Sequence, residues 1–170
     1  MPATYDSIAS TTLGSDTATV TFSSISSSYT DLVLVVDTQI TNNDYTLSMR
    51  FNGDSSTLYS YTTLDGIGTV PESSRRSGMS IGVLQRIVSN SSRIVGIVSI
   101  MNYSNTTTNK TYIARGNQAG RWLSGNVGLY RSTSAISSIT ISEAGDGGSG
   151  AFSGTLKAGS TFSLYGIRAA

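Results

Sequence analysis

No stretch of this chain repeats its apolar residues at a helical spacing, and its apolar runs stop at about five residues, so strands are the elements available for building a core. The pattern is clearest between Asp31 and Thr63. Leu32-Val33-Leu34-Val35-Val36 is short, continuous and rich in β-branched residues, which predicts a central strand covered on both faces. After an Asn42-Asn43-Asp44 turn the pattern changes to strict alternation. Tyr45, Leu47, Met49 and Phe51 are expected to face inward, and Thr46, Ser48 and Arg50 to face solvent. Asn52-Gly53 follows, the pair that most readily takes positive φ at both central positions of a type I′ turn. Thr57 to Thr63 is therefore expected to return as the hairpin partner.

The rest of the chain reads the same way. Residues 1–15 are polar and punctuated by Gly14, and read as an N-terminal arm or a loosely attached first strand; residues 16–170 read as one domain. Thr17 to Phe22 alternates. The run from Asp65 to Gly78 has the composition of a long loop. Met79 to Val88 changes phase at Leu84, which predicts a bulge near Gly82. Arg93 to Tyr103 is apolar on both sides, with Ile94, Val98 and Ile100 against Val95, Ile97 and Met101, so it is expected inside a sheet. Further strands are expected at Lys110–Arg115, Arg121–Arg131, Ile136–Ser142 and Thr161–Arg168, and Glu143 to Gly150 is flexible by its glycine content. Eight to ten short strands with turn chemistry between them predict an all-β antiparallel sandwich of jelly-roll type.

Composition narrows the chemistry. Zero Cys and zero His remove disulfides, thiolate sites, the commonest metal ligand and the commonest general base. Charged residues make up only 12% of the chain, so the surface is expected to be hydroxyl and amide. A net charge of +1 with scattered Lys and Arg gives no footprint for nucleic acid or an anionic membrane. The N-terminus lacks the basic and apolar regions of a signal peptide, and no apolar run approaches the roughly twenty residues of a membrane span. The sequons at Asn102 and Asn105 are discounted as products of a chain rich in Asn, Ser and Thr.

A carboxylate pair for catalysis would have to come from Glu72 and Glu143, both expected in loops, or from Asp31, Asp37, Asp44, Asp54, Asp65 and Asp146, expected to cap turns. Asp37 shares a face with Val33 and Val35, and as an inward carboxylate it needs a partner such as an Arg, or a position where the strand leaves the core. Gly145-Asp146-Gly147-Gly148 carries a single glycine turn without the repeated acidic ligands of a calcium site. Trp122, Tyr59, Tyr61 and Tyr130 read as core packing ahead of a glycan platform. No catalytic, cofactor or metal residue is assigned, and no enzymatic activity is expected. Tyr5, Arg75, Arg76, Arg121 and Trp122 are the candidate interface residues.

Four segments carry a resemblance. They are Arg50-Phe51-Asn52-Gly53-Asp54-Ser55 with Tyr59-Ser60-Tyr61; Met101 to Thr107 with Lys110-Thr111; Gly128 to Thr133 with Ala135-Ile136; and Gly159 to Ile167. Together and in order they resemble small virion structural proteins of tailed bacteriophages, notably those infecting cyanobacteria and marine bacteria. The resemblance implies a β-sandwich module of the particle, assembled in the host cytoplasm. It would be a capsid decoration (cement) protein on the major capsid protein, expected as a homotrimer, with a tail or fibre tip module that binds a host surface glycan or acts as an adaptor as the alternative. The resemblance offers no catalytic motif.

Overall fold

In a computed structural model, the structure describes residues 4–43, 45–88, 90, 92–145 and 151–168, with the backbone alone for 86–88. It is all β, with two antiparallel sheets packed as a sandwich and no helix among the described residues. The wide sheet contains β1 (Tyr5–Thr12), β3 (Asp31–Thr38), β5 (Tyr59–Ile67), β6 (Val70–Met79), β8 (Ile94–Met101), β9 (Lys110–Gln118), β10 (Trp122–Tyr130) and β12 (Thr161–Ile167). The narrow sheet contains β2 (Thr19–Phe22), β4 (Tyr45–Phe51), β7 (Gly82–Val88) and β11 (Ile139–Gly145). Strand order is β1-β12-β3-β8-β9-β10-β5-β6 in the wide sheet and β2-β11-β4-β7 in the narrow one.

The core lies between the sheets. Leu32, Leu34 and Val36 of β3, Val98 and Ile100 of β8, and Phe162 and Leu164 of β12 meet Leu47, Met49 and Phe51 of β4 and Ile139 and Ile141 of β11. An aromatic group fills one end, where Tyr59 stacks on Tyr130 at 4.6 Å and Phe51 meets the edge of Tyr112 at 6.1 Å. The Tyr112 ring lies directly over its cross-strand partner Gly128, and its hydroxyl accepts the Val83 N–H at 2.9 Å. Facing hydroxyls on neighbouring strands bond to each other at 2.8–3.1 Å: Ser10 to Ser163, Thr12 to Thr161 and Thr21 to Thr140 on exposed or half-buried positions, and the buried Thr63 to Ser74.

Several expectations are corrected. Asn52 and Gly53 do take φ of +54° and +68°, and Asp54 N–H closes the turn on Phe51 C=O at 2.9 Å. The strands it joins nevertheless belong to different sheets, so the turn is a corner and not a hairpin. The Asn52 side chain fixes this exit, accepting from the backbone N–H groups of Ser137 and Ser138 and donating to Ala135 C=O. Strand β4 is not half solvated: Thr46 and Ser48 are buried with their hydroxyls 2.7 Å apart, and the Arg50 guanidinium lies 4.2 Å over the Phe152 ring.

The expected long loop from Asp65 to Gly78 is instead the β5–β6 hairpin. It turns at Gly68-Thr69, where Gly68 has φ +58° and Thr69 stays negative, the arrangement of a type II′ turn with glycine first. Residues 5–12 of the expected arm form β1, paired along its length with β12 through one bulge between Ser7 and Ala9. Residues 116–118, expected in a loop, extend β9. Gly82 opens β7 after the chain has crossed to the narrow sheet. The phase change expected at Leu84 is present: Leu47 pairs with Gln85 and Ser48 with Val83, so Leu84 is the extra residue, two positions past Gly82, and both Val83 and Leu84 are buried.

Candidate functional site

The buried ionisable groups are engaged in holding the fold. Glu143, expected in a loop, lies on β11 and is fully buried. Its carboxylate accepts N–H groups from Asn42 at 3.0 Å, Thr155 at 2.8 Å and Thr41 at 3.4 Å, together with the Thr41 hydroxyl at 3.2 Å. It ties two connecting segments together at one end of the sandwich. Lys110 is buried and donates to the carbonyls of Thr108 and Thr133 at 2.8 and 3.1 Å, and desolvation lowers its pKa. Asp65, expected to cap a turn, is buried on β5 and accepts from the Trp122 indole N–H at 3.3 Å and the Ser124 hydroxyl at 2.5 Å. Asp54 does cap its turn, accepting from Ser56 N–H at 2.8 Å and the Tyr130 hydroxyl at 2.7 Å. Burial works against its charge, but these hydrogen bonds and Arg50 hold its pKa below the usual carboxylate value.

The outward face of the wide sheet has a different character. Alternation along each strand puts Val33 and Val35 of β3, Val95 and Ile97 of β8, Ile113 and Arg115 of β9, Leu123, Val127 and Leu129 of β10, Leu64 of β5 and Tyr165 of β12 on this side. The register aligns them in rows. One row runs Leu64, Gly125, Arg115, Ile97, Val35, Ser163, and the next runs Arg75, Thr62, Val127, Ile113, Ser99, Val33, Tyr165. Leu64 is 67% exposed, Leu123 64% and Val127 58%. Isolated exposed apolar residues are ordinary, but here Leu64, Val95, Ile97, Ile113, Leu123 and Val127 are exposed on four adjacent strands of one face.

Among the shallow depressions of this face, two are lined largely by apolar side chains. One, of about 450 Å³, lies between Leu64, Leu123 and Pro71, with Gly66 and Gly125 as its floor and Arg115 at its margin. Neither glycine has a positive φ, and a Cβ on either would meet its nearest atom at 3.9–4.0 Å, an ordinary contact. The space above them is therefore open because side chains are absent there, not because the backbone requires glycine. The second, of about 430 Å³, lies among Val33, Val35, Ile97, Tyr165 and Tyr5.

The candidate interface residues are dispersed. Tyr5 projects outward from edge strand β1 and is 56% exposed. Arg75 projects onto the outer face from edge strand β6, whereas Arg76, next to it, points to the other side and is half buried. Arg121 is exposed in the turn between β9 and β10. Trp122 faces inward and is buried, as are Tyr59, Tyr61 and Tyr130, so these aromatics form no surface platform. Asp37, expected to face inward with Val33 and Val35, lies with them on the outer face and is half exposed, and Arg93 Nε lies 2.7 Å from its carboxylate. Asp44 and Asp146, and with Asp146 the glycine turn at 145–148, lie outside the described residues. Sequence reasoning missed the outer face itself, although its signal was present in Val95, Ile97 and Met101, which were assigned to a covered layer.

No protein-family model matches this chain, and no curated protein matches it. What the fold and the site define is a two-sheet β protein whose buried carboxylates and lysine are engaged in structure and whose widest face exposes a group of apolar side chains among polar ones.

Proposed function

We propose that this protein is a structural component of a tailed-bacteriophage virion, a decoration protein that binds the lattice of the major capsid protein and stabilises the head. The observation that carries the reading is the exposed apolar face of the wide sheet, a surface suited to assembly. The placement of Glu143, Lys110 and Asp65 in internal hydrogen bonds supports a binding role over a catalytic one. Strand order supports a jelly-roll reading, an architecture used by viral capsid domains. With the β8-β9-β10 meander counted as one position, the chain alternates between sheets at β2, β3, β4 and β5, returns at β7, and crosses again to reach β11. Assembly as small symmetric clusters, a homotrimer at each lattice junction, would multiply the weak contacts of single copies. Tyr5 and Arg75, at opposite edges of the face, are the rim residues proposed to touch the capsid shell.

Cryo-electron microscopy of intact particles tests this directly. Density for the chain in symmetric clusters on the head is the expected result. Density confined to the tail, or none on the particle, would refute it.

A further inference from the structure

We infer that Asn52-Gly53 is a site of spontaneous covalent modification, loss of the side-chain amide through a succinimide, which the corner between β4 and β5 holds shut and an opened corner releases. Nothing in this chemistry depends on what the protein's surface binds. The pair is the one Asn-Gly in the sequence. Glycine suits the positive φ of this turn because it has no side chain, and for the same reason its nitrogen is the least hindered nucleophile toward the side chain before it. In the reaction the deprotonated Gly53 nitrogen attacks Asn52 Cγ. A C–N bond forms, the bond from Cγ to the side-chain nitrogen breaks, and that nitrogen leaves as ammonia with the proton Gly53 gave up. Water then opens the ring at either carbonyl, leaving aspartate or isoaspartate.

Solvent access is not the barrier, since Asn52 and Gly53 are both exposed. The barrier is backbone geometry. A φ of +54° places Asn52 in the left-handed region, where ψ is about +47°. In an L residue that ψ sets Cβ and the next nitrogen on nearly opposite sides of the Cα–C bond, whereas ring closure needs them eclipsed. The peptide must therefore swing through most of a half-turn before the bond can form, which undoes the turn that Asp54 N–H closes on Phe51 C=O. The side chain is anchored as well. Its Oδ1 accepts Ser137 N–H at 2.8 Å, Ser138 N–H at 3.2 Å and the Ser137 hydroxyl at 3.3 Å, while Nδ2 donates to Ala135 C=O at 2.8 Å. Bringing Cγ to Gly53 gives up these bonds together, and they are the bonds that fix the exit of the chain toward the other sheet.

Neither product refits the corner. Aspartate can still accept from Ser137 and Ser138, but it has no N–H for Ala135 C=O and sets a negative oxygen against that carbonyl. Isoaspartate routes the main chain through Cβ and lengthens the link from Phe51 to Gly53 by one atom. Each opening that lasts long enough for ring closure thus leaves a mark that refolding does not erase.

The test follows Asn52 by peptide mass mapping of the full chain at mildly alkaline pH, in buffer and in concentrated urea, beside a free peptide spanning Arg50 to Ser55. The expected result is that the peptide and the urea-unfolded chain convert at similar rates, and the folded chain about tenfold more slowly or less, because only its opened fraction reacts. A folded chain that converts at the peptide's rate would overturn the inference, and so would an unfolded chain that keeps its Asn52. Asn52→Asp reproduces one product and should unfold at a lower urea concentration than wild type; an unchanged midpoint would overturn the claim that the product does not refit.

Discussion

Replacing Gly128 by alanine probes the tightest contact in the aromatic end of the core. A Cβ at this position would lie 1.9 Å from Tyr112 Cζ and 2.0 Å from its Cε1, so the ring must move. It has nowhere close to go. Tyr112 is fully buried, its hydroxyl is held by Val83 N–H, and Phe51 packs at its edge. Overpacking of this kind costs about 1–3 kcal/mol, and losing the buried hydroxyl's hydrogen bond adds about 1 kcal/mol. A total near 3 kcal/mol corresponds to a fall in Tm of about 6–12 °C for a chain of this length. Calorimetry at one fixed protein concentration measures it, since association would otherwise shift Tm by mass action. Tyr112→Leu should then lower the further cost of Gly128→Ala, giving a favourable coupling in the double-mutant cycle. A Gly128→Ala variant that melts within about 2 °C of wild type, or strict additivity with Tyr112→Leu, would refute the reasoning.

Two further outcomes follow from buried polar groups. Glu143→Gln puts an amide NH2 against backbone donors that now bond a carboxylate; a loss of about 3 kcal/mol in urea unfolding is expected, and unchanged stability would mean the carboxylate is not the clamp described. Burial raises the phenol pKa of Tyr59 and Tyr112 well above 10 and pushes that of Tyr130 up to about 12. Folded-state values above the unfolded one mean stability is intact below pH 10 and declines above it, by about 1.4 kcal/mol per pH unit for each of Tyr59 and Tyr112. Tyrosinate absorbance at about 295 nm should therefore rise in two stages, the later one coinciding with loss of the β-sheet signal; a single stage near pH 10 with the fold intact would contradict the burial of these phenols.

Local patterning made much of the fold legible. The five-residue run of β3 lies third from one edge of the wide sheet, and Phe162 and Leu164 turn to the core as their alternation requires. The Asn52-Gly53 dihedrals were readable for the same local reason. What was not readable is where a chain goes after a turn. A type I′ geometry reverses direction, but the sheet that accepts the next strand is set by burial across the whole sandwich. The hydrogen bonds from Asn52 to a loop more than eighty residues away have no local signature. The hairpin at Gly68-Thr69 was hidden because β6 is an edge strand whose Pro71, Ser73 and Arg75 face water, so it lacks the apolar alternation of a covered strand. Strand β8 erred the other way: residues apolar on both sides were read as covered on both, while in the isolated chain Val95 and Ile97 are open. Glu143 was misplaced because glycine-rich neighbours made its segment look irregular, although the strand runs through it.

The facing hydroxyls along the strands, Ser10 with Ser163, Thr12 with Thr161, Thr21 with Thr140 and Thr63 with Ser74, stand where other proteins often place lysine opposite glutamate. Dissolved ions attenuate attraction between full charges over a Debye length that shrinks from about 10 Å at 0.1 M to about 3 Å at 1 M. A hydrogen bond between two neutral hydroxyl groups in direct contact offers those ions almost nothing to attenuate. These hydroxyl pairs therefore keep their strength from dilute buffer to brine, and a net charge of +1 leaves little self-repulsion for salt to relieve. The exposed Arg93–Asp37 ion pair weakens as salt rises, whereas these hydroxyl pairs do not.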